Sequence, residues 1–141
     1  MSWLKRQSVL IPIDFSDLSY QALGPAQELA KDSTSLTLIH VLSPLHPADP
    51  AAMWDTLTDD DRKQKVHLFI RDKLSELGYD TIKIEVVIGD TTSKIVDYAQ
   101  EIDADLIVMP SHGRKGVSRF LIGSVAEQVV RLAHCPVLIL K

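Results

Sequence analysis

Leu106-Ile107-Val108-Met109-Pro110 runs into Ser111-His112-Gly113, nine further residues follow, and then Gly123-Ser124. Four apolar positions without a charge, followed by proline and serine, predict a short strand buried on both faces and hence central in a sheet. Beyond the loop, Ser124 and Glu127 stand at capping-box spacing, which predicts a helix from Ser124 to about Ala133, and Val137 to Leu140 reads as one more strand. A parallel strand feeding a helix aims unpaired N–H groups and the positive end of the helix dipole at the space above the strand, which favours anions. The stretch therefore reads as a phosphate-binding loop. Gly113 and Gly123 would let the backbone approach closely, and a cap at Ser124 would still leave other first-turn amides open.

Toward the N-terminus the same alternation recurs. Ser8 to Ile13 is an apolar run, and Ser16-Asp17 offers an N-cap for a helix reaching about Lys31, with a kink expected at Gly24-Pro25. A second strand covers about Ser35 to Val41. The segment from Leu42 to Leu57, with Pro44, Pro47 and Pro50, reads as a mobile surface loop. Thr58 before Asp59, Asp60 and Asp61 predicts a capped helix start, the acids complementing the dipole rather than binding a metal. Val66, Phe69, Ile70, Leu74 and Leu77 repeat at helical spacing as a core face, and Gly78 stops the helix. From Ile82 to Ile88 the pattern alternates, with Lys83 and Glu85 between apolar neighbours, as at a sheet edge. A helix from about Thr92 to Ile102, turning Ile95, Val96 and Ala99 inward, leads back to Leu106. Strands alternating with helices specify an α/β fold, a doubly wound parallel sheet of five strands with helices on both faces and right-handed crossovers.

With 141 residues and 45% apolar content, the chain suits one domain spanning residues 1–141. A net charge of −4 offers no basic field for a nucleic-acid backbone. No stretch is long enough to span a membrane, and the short run behind Lys5 and Arg6 does not fit a signal peptide. A single cysteine, Cys135, suits a reducing compartment, so the expected address is the cytoplasm.

Ligands of doubly wound sheets sit beyond the carboxyl ends of the strands, where strand order reverses. Three features converge there: Pro12-Ile13-Asp14, Val41, and the loop from Ser111 to Ser124. An acid at the end of a central strand needs donors, so Asp14 should meet either amides of the next helix or a ligand. Of the loop cations Arg114, Lys115 and Arg119, only Arg114 beside Gly113 stands out as a phosphate partner. His112 has no acid in the sequence with a claim to orient it as a general base. His40 reads as a satisfied structural histidine and Cys135 as a small buried hydrophobe.

At these residues the chain resembles the universal stress protein family. The likeness runs through Val9-Leu10-Ile11-Pro12-Ile13-Asp14-Phe15-Ser16, His40-Val41, Ser111-His112-Gly113-Arg114, Gly123-Ser124-Val125-Ala126-Glu127 and Cys135-Pro136-Val137-Leu138-Ile139. It implies a Rossmann-like, HUP-type nucleotide-binding fold with strand order 3-2-1-4-5. It also implies an adenine-nucleotide site for ATP or AMP, with or without Mg²⁺. In that site Pro12, Ile13, Asp14 and Val41 lie near adenine and ribose, Met109 and Pro110 line the ribose, and Gly113, Arg114, Gly123, Ser124 and Val125 surround the phosphates. The implied role is a stress-response switch that passes nucleotide state to a downstream protein.

One position departs from the pattern: the family's nucleotide-binding members place glycine where this chain has Pro110, which offers no N–H. The alternative reading is an interaction module of the same fold with an empty pocket. A slow ATPase or autokinase is a third, which single-turnover incubation with labelled ATP would expose. No Gly-Lys-Ser/Thr phosphate loop occurs, and Arg114 follows Gly113 where nucleotidyl transferases of related folds carry a second histidine, so fast ATP-driven chemistry is not expected. The implied strand order leaves apolar Val137–Leu140 at an edge, and members of the family resemble one another in pairing that strand across a dimer. A homodimer through this strand is the expectation.

Overall fold

A computed structural model describes residues 4–46, 48, 58–111 and 122–141. Five parallel strands, β1 (Val9–Pro12), β2 (Leu36–Leu42), β3 (Lys83–Ile88), β4 (Leu106–Pro110) and β5 (Val137–Leu140), form one sheet in the order β3-β2-β1-β4-β5. The uncharged run that opened the sequence reading is thus an inner strand, and the alternating run with Lys83 and Glu85 is an edge. Side chains of each inner strand alternate between two cores. Val9 and Ile11, Leu36 and Leu38, and Leu106 and Val108 face one side, while Leu10, Ile39, Ile107 and Met109 face the other. Burying each such aliphatic side chain is worth roughly 1.5–3 kcal/mol before conformational entropy is set against it.

The first core is covered by α1 (Asp17–Gln21), α2 (Leu23–Leu29) and α3 (Asp59–Glu76), the second by α4 (Thr91–Glu101) and α5 (Ser124–Leu132). The interruption expected at Gly24-Pro25 is present but lies at Ala22, between α1 and α2. Pro25 crowds and cannot bond the carbonyl four residues back, that of Gln21, where α1 ends. The proline itself then sits in the first turn of α2, where its missing N–H costs nothing.

Helix α3 begins as its sequence predicts. Thr58 Oγ1 accepts from the Asp61 amide at 3.1 Å, and Asp61 Oδ2 accepts from the Thr58 amide at 3.3 Å, a complete capping box. At its other end Gly78 takes φ +86°, its amide reaching the Ser75 carbonyl and the Tyr79 amide reaching that of Leu74, the two bonds of a Schellman stop. The core face assigned to α3 needs correction. Ile70 and Leu74 are fully buried and Val66 packs against them, but Phe69 is 59% exposed and Leu77 45% exposed. Phe69 lies about 100° around the helix from Ile70, off the buried stripe, and Leu77 is the C-cap, past the last turn that touches the sheet.

A tie absent from the sequence reading joins the two central strands at their amino ends. Asp105 accepts from the amides of Gln7 (2.9 Å) and Ser8 (3.1 Å) and returns its own amide to the Ser8 carbonyl. Of the segment from Leu42 to Leu57, Leu42 closes β2, residues 43–46 and 48 belong to no helix or strand, and residue 47 and residues 49–57 lie outside the described residues.

Candidate functional site

Strand order reverses between β1 and β4, so the crevice of the fold opens beyond Pro12 on one side and Pro110 on the other. On the β1 side the chain turns through a tightly wired elbow. The Ile13 amide continues the ladder to the Ile39 carbonyl, and the Ile13 carbonyl accepts from His40 Nδ1 at 2.8 Å. Asp14 Oδ1 accepts from both the amide (3.1 Å) and the hydroxyl (2.6 Å) of Ser16. Ser16 Oγ in turn caps α1 by accepting from the Ser19 amide, and Ser19 Oγ accepts from the Asp14 amide. Of the two partners the sequence left open for Asp14, these donors show the first: the residues that start the next helix.

The elbow also sets the electrostatics. A carbonyl can only accept, so His40 Nδ1 carries the proton in its bond to Ile13. Burial pushes the His40 pKa down, against the opposing pull of that bond and of the Asp14 charge, so the ring is neutral at pH 7 with Nε2 as an acceptor. The Tyr20 phenol is pushed up by burial and then by the Asp14 charge, and its hydroxyl is buried without a hydrogen-bond partner among the described residues. Cys135 is half-buried beside the second core, and burial raises its thiol pKa away from the reactive range.

On β2, Val41 is half-buried against the second core, as is Val125 on α5, and Met109 on β4 is buried within it, so these three candidates share one face of the sheet. Just past β2, Arg62 of α3 donates to the Ser43 carbonyl at 2.8 Å, a tie between helix and strand end that sequence reasoning missed. On β4, Ile107 and Ser111 donate to carbonyls of the β5 segment, Pro136 and Leu140. Backbone alternation then turns the Pro110 nitrogen toward β1. Pairing between β1 and β4 covers only Leu106 and Ile107, so proline at 110 removes no sheet hydrogen bond. It removes a donor from the crevice instead.

Helix α5 starts against that same strand end. The Gly123 amide donates to the carbonyl of buried Ser111 at 2.6 Å, and Gly123, with φ −63° and ψ 154°, is the N-cap. This corrects the cap assigned to Ser124. Serine at N1 has its side chain past the position from which an oxygen folds back on the first-turn amides, and among the described residues no side chain caps this helix. Glu127 pairs with Arg131 one turn on rather than closing a capping box. Ser124 is exposed, and Gly123 and Val125 are half-buried. His112, Gly113, Arg114, Lys115 and Arg119 lie outside the described residues. Among the described residues no group of three His, Cys, Asp or Glu side chains is placed to hold a metal ion, and no helix is long and apolar enough to cross a membrane.

Pro12, Ile13, Asp14, Val41, Met109, Pro110, Gly123, Ser124 and Val125 therefore fall at or beside the carboxyl edge of three adjacent strands. The sequence profile of the universal stress protein family matches residues 5–141. Universal stress protein MJ0531 of Methanocaldococcus jannaschii is 34% identical over 140 residues, covering 96% of this chain and 82% of that protein. Among solved structures, the universal stress protein UspA from Lactobacillus plantarum superposes with a TM-score of 0.74 at 25% identity, covering 96% of this chain and 99% of that one. A universal stress protein solved in complex with cAMP superposes with a TM-score of 0.67 at 27% identity, covering 96% and 97%.

Proposed function

This chain belongs to the universal stress protein family, and from that premise we propose that it binds an adenine nucleotide and presents its nucleotide state to a protein partner. The observation that carries this reading is the start of α5. The helices α1, α3 and α4 each open on a side-chain cap, from Ser16, Thr58 and Asp90. Helix α2 follows α1 almost without a break, so its start is not a free end. Only α5, among the described residues, begins at the crevice with a glycine cap and no side chain over its amides. Such an end suits a phosphate, through unpaired N–H groups and the helix dipole. The relative solved with cAMP supports adenine as the base.

In this reading Asp14 and Val41 meet the adenosine and Met109 and Pro110 line the ribose. Ser124 and Val125 offer amides to the phosphates and Gly123 lets them approach closely, together with Gly113 and Arg114, and Mg²⁺ accompanies a triphosphate. Pro110 contributes shape alone, so the phosphate donors come from α5 and its loop.

A thermal melt against ATP, ADP, AMP, cyclic AMP and GTP, with and without Mg²⁺, tests the reading. Ligand at about 100 times its dissociation constant adds roughly 2.7 kcal/mol, a shift of several degrees for a domain this size. Adenine-selective stabilisation supports the proposal. No shift in nucleotide-free protein would favour an interaction module with an empty pocket. Within a nucleotide-binding protein, Asp14→Ala should weaken adenosine recognition and Gly123→Val should obstruct the phosphate, and equal affinity in both variants would sink the site.

We also propose a homodimer through β5. Val, Leu, Ile and Leu at residues 137–140 are all half-buried in the isolated chain and form an edge without charge, unlike β3 with Lys83 and Glu85. A second copy of the strand would satisfy that edge. Leu138→Pro should yield monomer or aggregate in sedimentation, and an intact dimer would place the interface elsewhere.

A further inference from the structure

Phe15 sits in a backbone conformation that phenylalanine rarely adopts. Its φ is +70°, and the only other non-glycine residue with positive φ among the described residues is Asp103. Asp103 follows the C-cap of α4, where aspartate visits the left-handed region readily. A bulky aromatic residue has no such local excuse, and strain of this kind persists only where the surroundings over-determine it. Here they do. The Phe15 ring lies 4.2 Å from the His40 imidazole, tilted by 33°, and 5.4 Å from the Phe69 ring, edge to face at 84°. His40 is itself fixed by its bond to the Ile13 carbonyl, two residues before Phe15. The ring is therefore clamped between β2 and α3 while its backbone turns the chain from β1 into α1.

What the turn accomplishes is local and specific. It brings the amide and hydroxyl of Ser16 back onto Asp14 Oδ1, at 3.1 and 2.6 Å, and the Asp14 amide onto Ser19 Oγ. Glycine would make the turn without strain but without a ring to anchor it. Resting on the nucleotide-binding reading, we propose that Phe15 is a positioning residue, its clamped ring holding the elbow so that the Asp14 carboxylate is already oriented for the adenosine of the ligand.

The test is a double-mutant cycle read by isothermal titration with adenosine and with ATP. Phe15→Gly should fold, because glycine accepts the dihedral, yet bind adenosine about tenfold or more weakly, the size of one hydrogen bond to a charged group. In the Asp14→Ala background the same change should have no further effect, an outcome that a merely structural role would not produce. Phe69→Ala, which removes one jaw of the clamp and leaves Phe15 in place, should show a smaller loss that also vanishes without Asp14. It decides the matter should Phe15→Gly fail to fold. Unchanged affinity in the variants, or losses fully additive with Asp14→Ala, would overturn the positioning role while leaving nucleotide binding intact. Absence of binding by the unaltered protein would remove both.

Discussion

The starts of α3 and α5 look alike in sequence and differ in what they leave over. Both place a hydroxyl residue three positions before an acid, Thr58 with Asp61 and Ser124 with Glu127. At α3 the two residues close on each other, and three acids in the first turn complete the neutralisation of the helix end. At α5 the Ser111 carbonyl catches the Gly123 amide, the helix begins one residue earlier than the pattern suggests, and the serine moves past the capping position. One helix end is thus satisfied by its own side chains, and the other has no side-chain cap among the described residues. A sequence motif reports the capacity to cap, while the register in which a neighbouring strand delivers the chain decides whether the cap forms.

The contrast can be broken most severely by making α5 resemble α3. Gly123→Asp supplies the missing cap and sets a carboxylate where phosphate would lie. ATP affinity should fall by about a hundredfold, the loss of roughly two charge-assisted hydrogen bonds, while stability to urea holds or rises by a few tenths of a kcal/mol. Unaltered ATP affinity in isothermal titration would mean that these amides do not bind phosphate. The reciprocal change, Thr58→Ala, should lower stability by about 1 kcal/mol and the melting midpoint by a few degrees. It should leave the nucleotide dissociation constant where it was, and a parallel loss of affinity would show that the two helix ends are not independent.

A smaller effect sharpens the comparison from the other wall of the crevice. The His40 pKa is held below 6.5 in the folded chain, mainly by burial. The unfolded chain therefore takes up a proton there first, so this contribution to stability is present above about pH 6.5 and is lost as pH falls toward the folded value. His40→Asn keeps a donor near the Ile13 carbonyl and does not titrate. Its stability, followed by urea midpoints, should decline less steeply below pH 6.5 than that of the unaltered chain, and identical slopes would assign the decline to other groups.

Strand positions were legible because five apolar runs of the right length alternate with helical periods, whereas their order came from the family resemblance alone. The edge character of β3 was legible because charge alternates along it. Phe69 and Leu77 were misassigned for a geometric reason: periodicity marks a stripe but not its width, and the face that α3 packs into the core follows the Val66-Ile70-Leu74 line. Helix spacing placed the break near Pro25 but could not choose which of the preceding residues leaves the helix. At the candidate site, Asp14 and Val41 were singled out by their places at strand ends and Met109 by the family resemblance. The clamp on Phe15 could not, since nothing in a Phe-Ser dipeptide announces a positive φ, and its partners His40 and Phe69 come from distant segments. Ser16 and Ser19, three residues apart at a helix start, were a signal available for the elbow, and only the first was read.

Strand β1 occupies the middle of the sheet although it is made early, and its grip on β4 spans 97 positions between Ser8 and Asp105. On a ribosome, Val9 to Pro12 leaves the exit tunnel with one neighbouring strand soon to follow and the other still untranslated. Until Leu106 and Ile107 emerge, one side of that strand lacks its β4 partner, and the nascent chain carries an open, wholly apolar seam from the synthesis of β1 to that of β4. Chaperone occupancy during translation should therefore persist until β4 clears the tunnel and then fall, a profile set by topology rather than by the final stability of the protein.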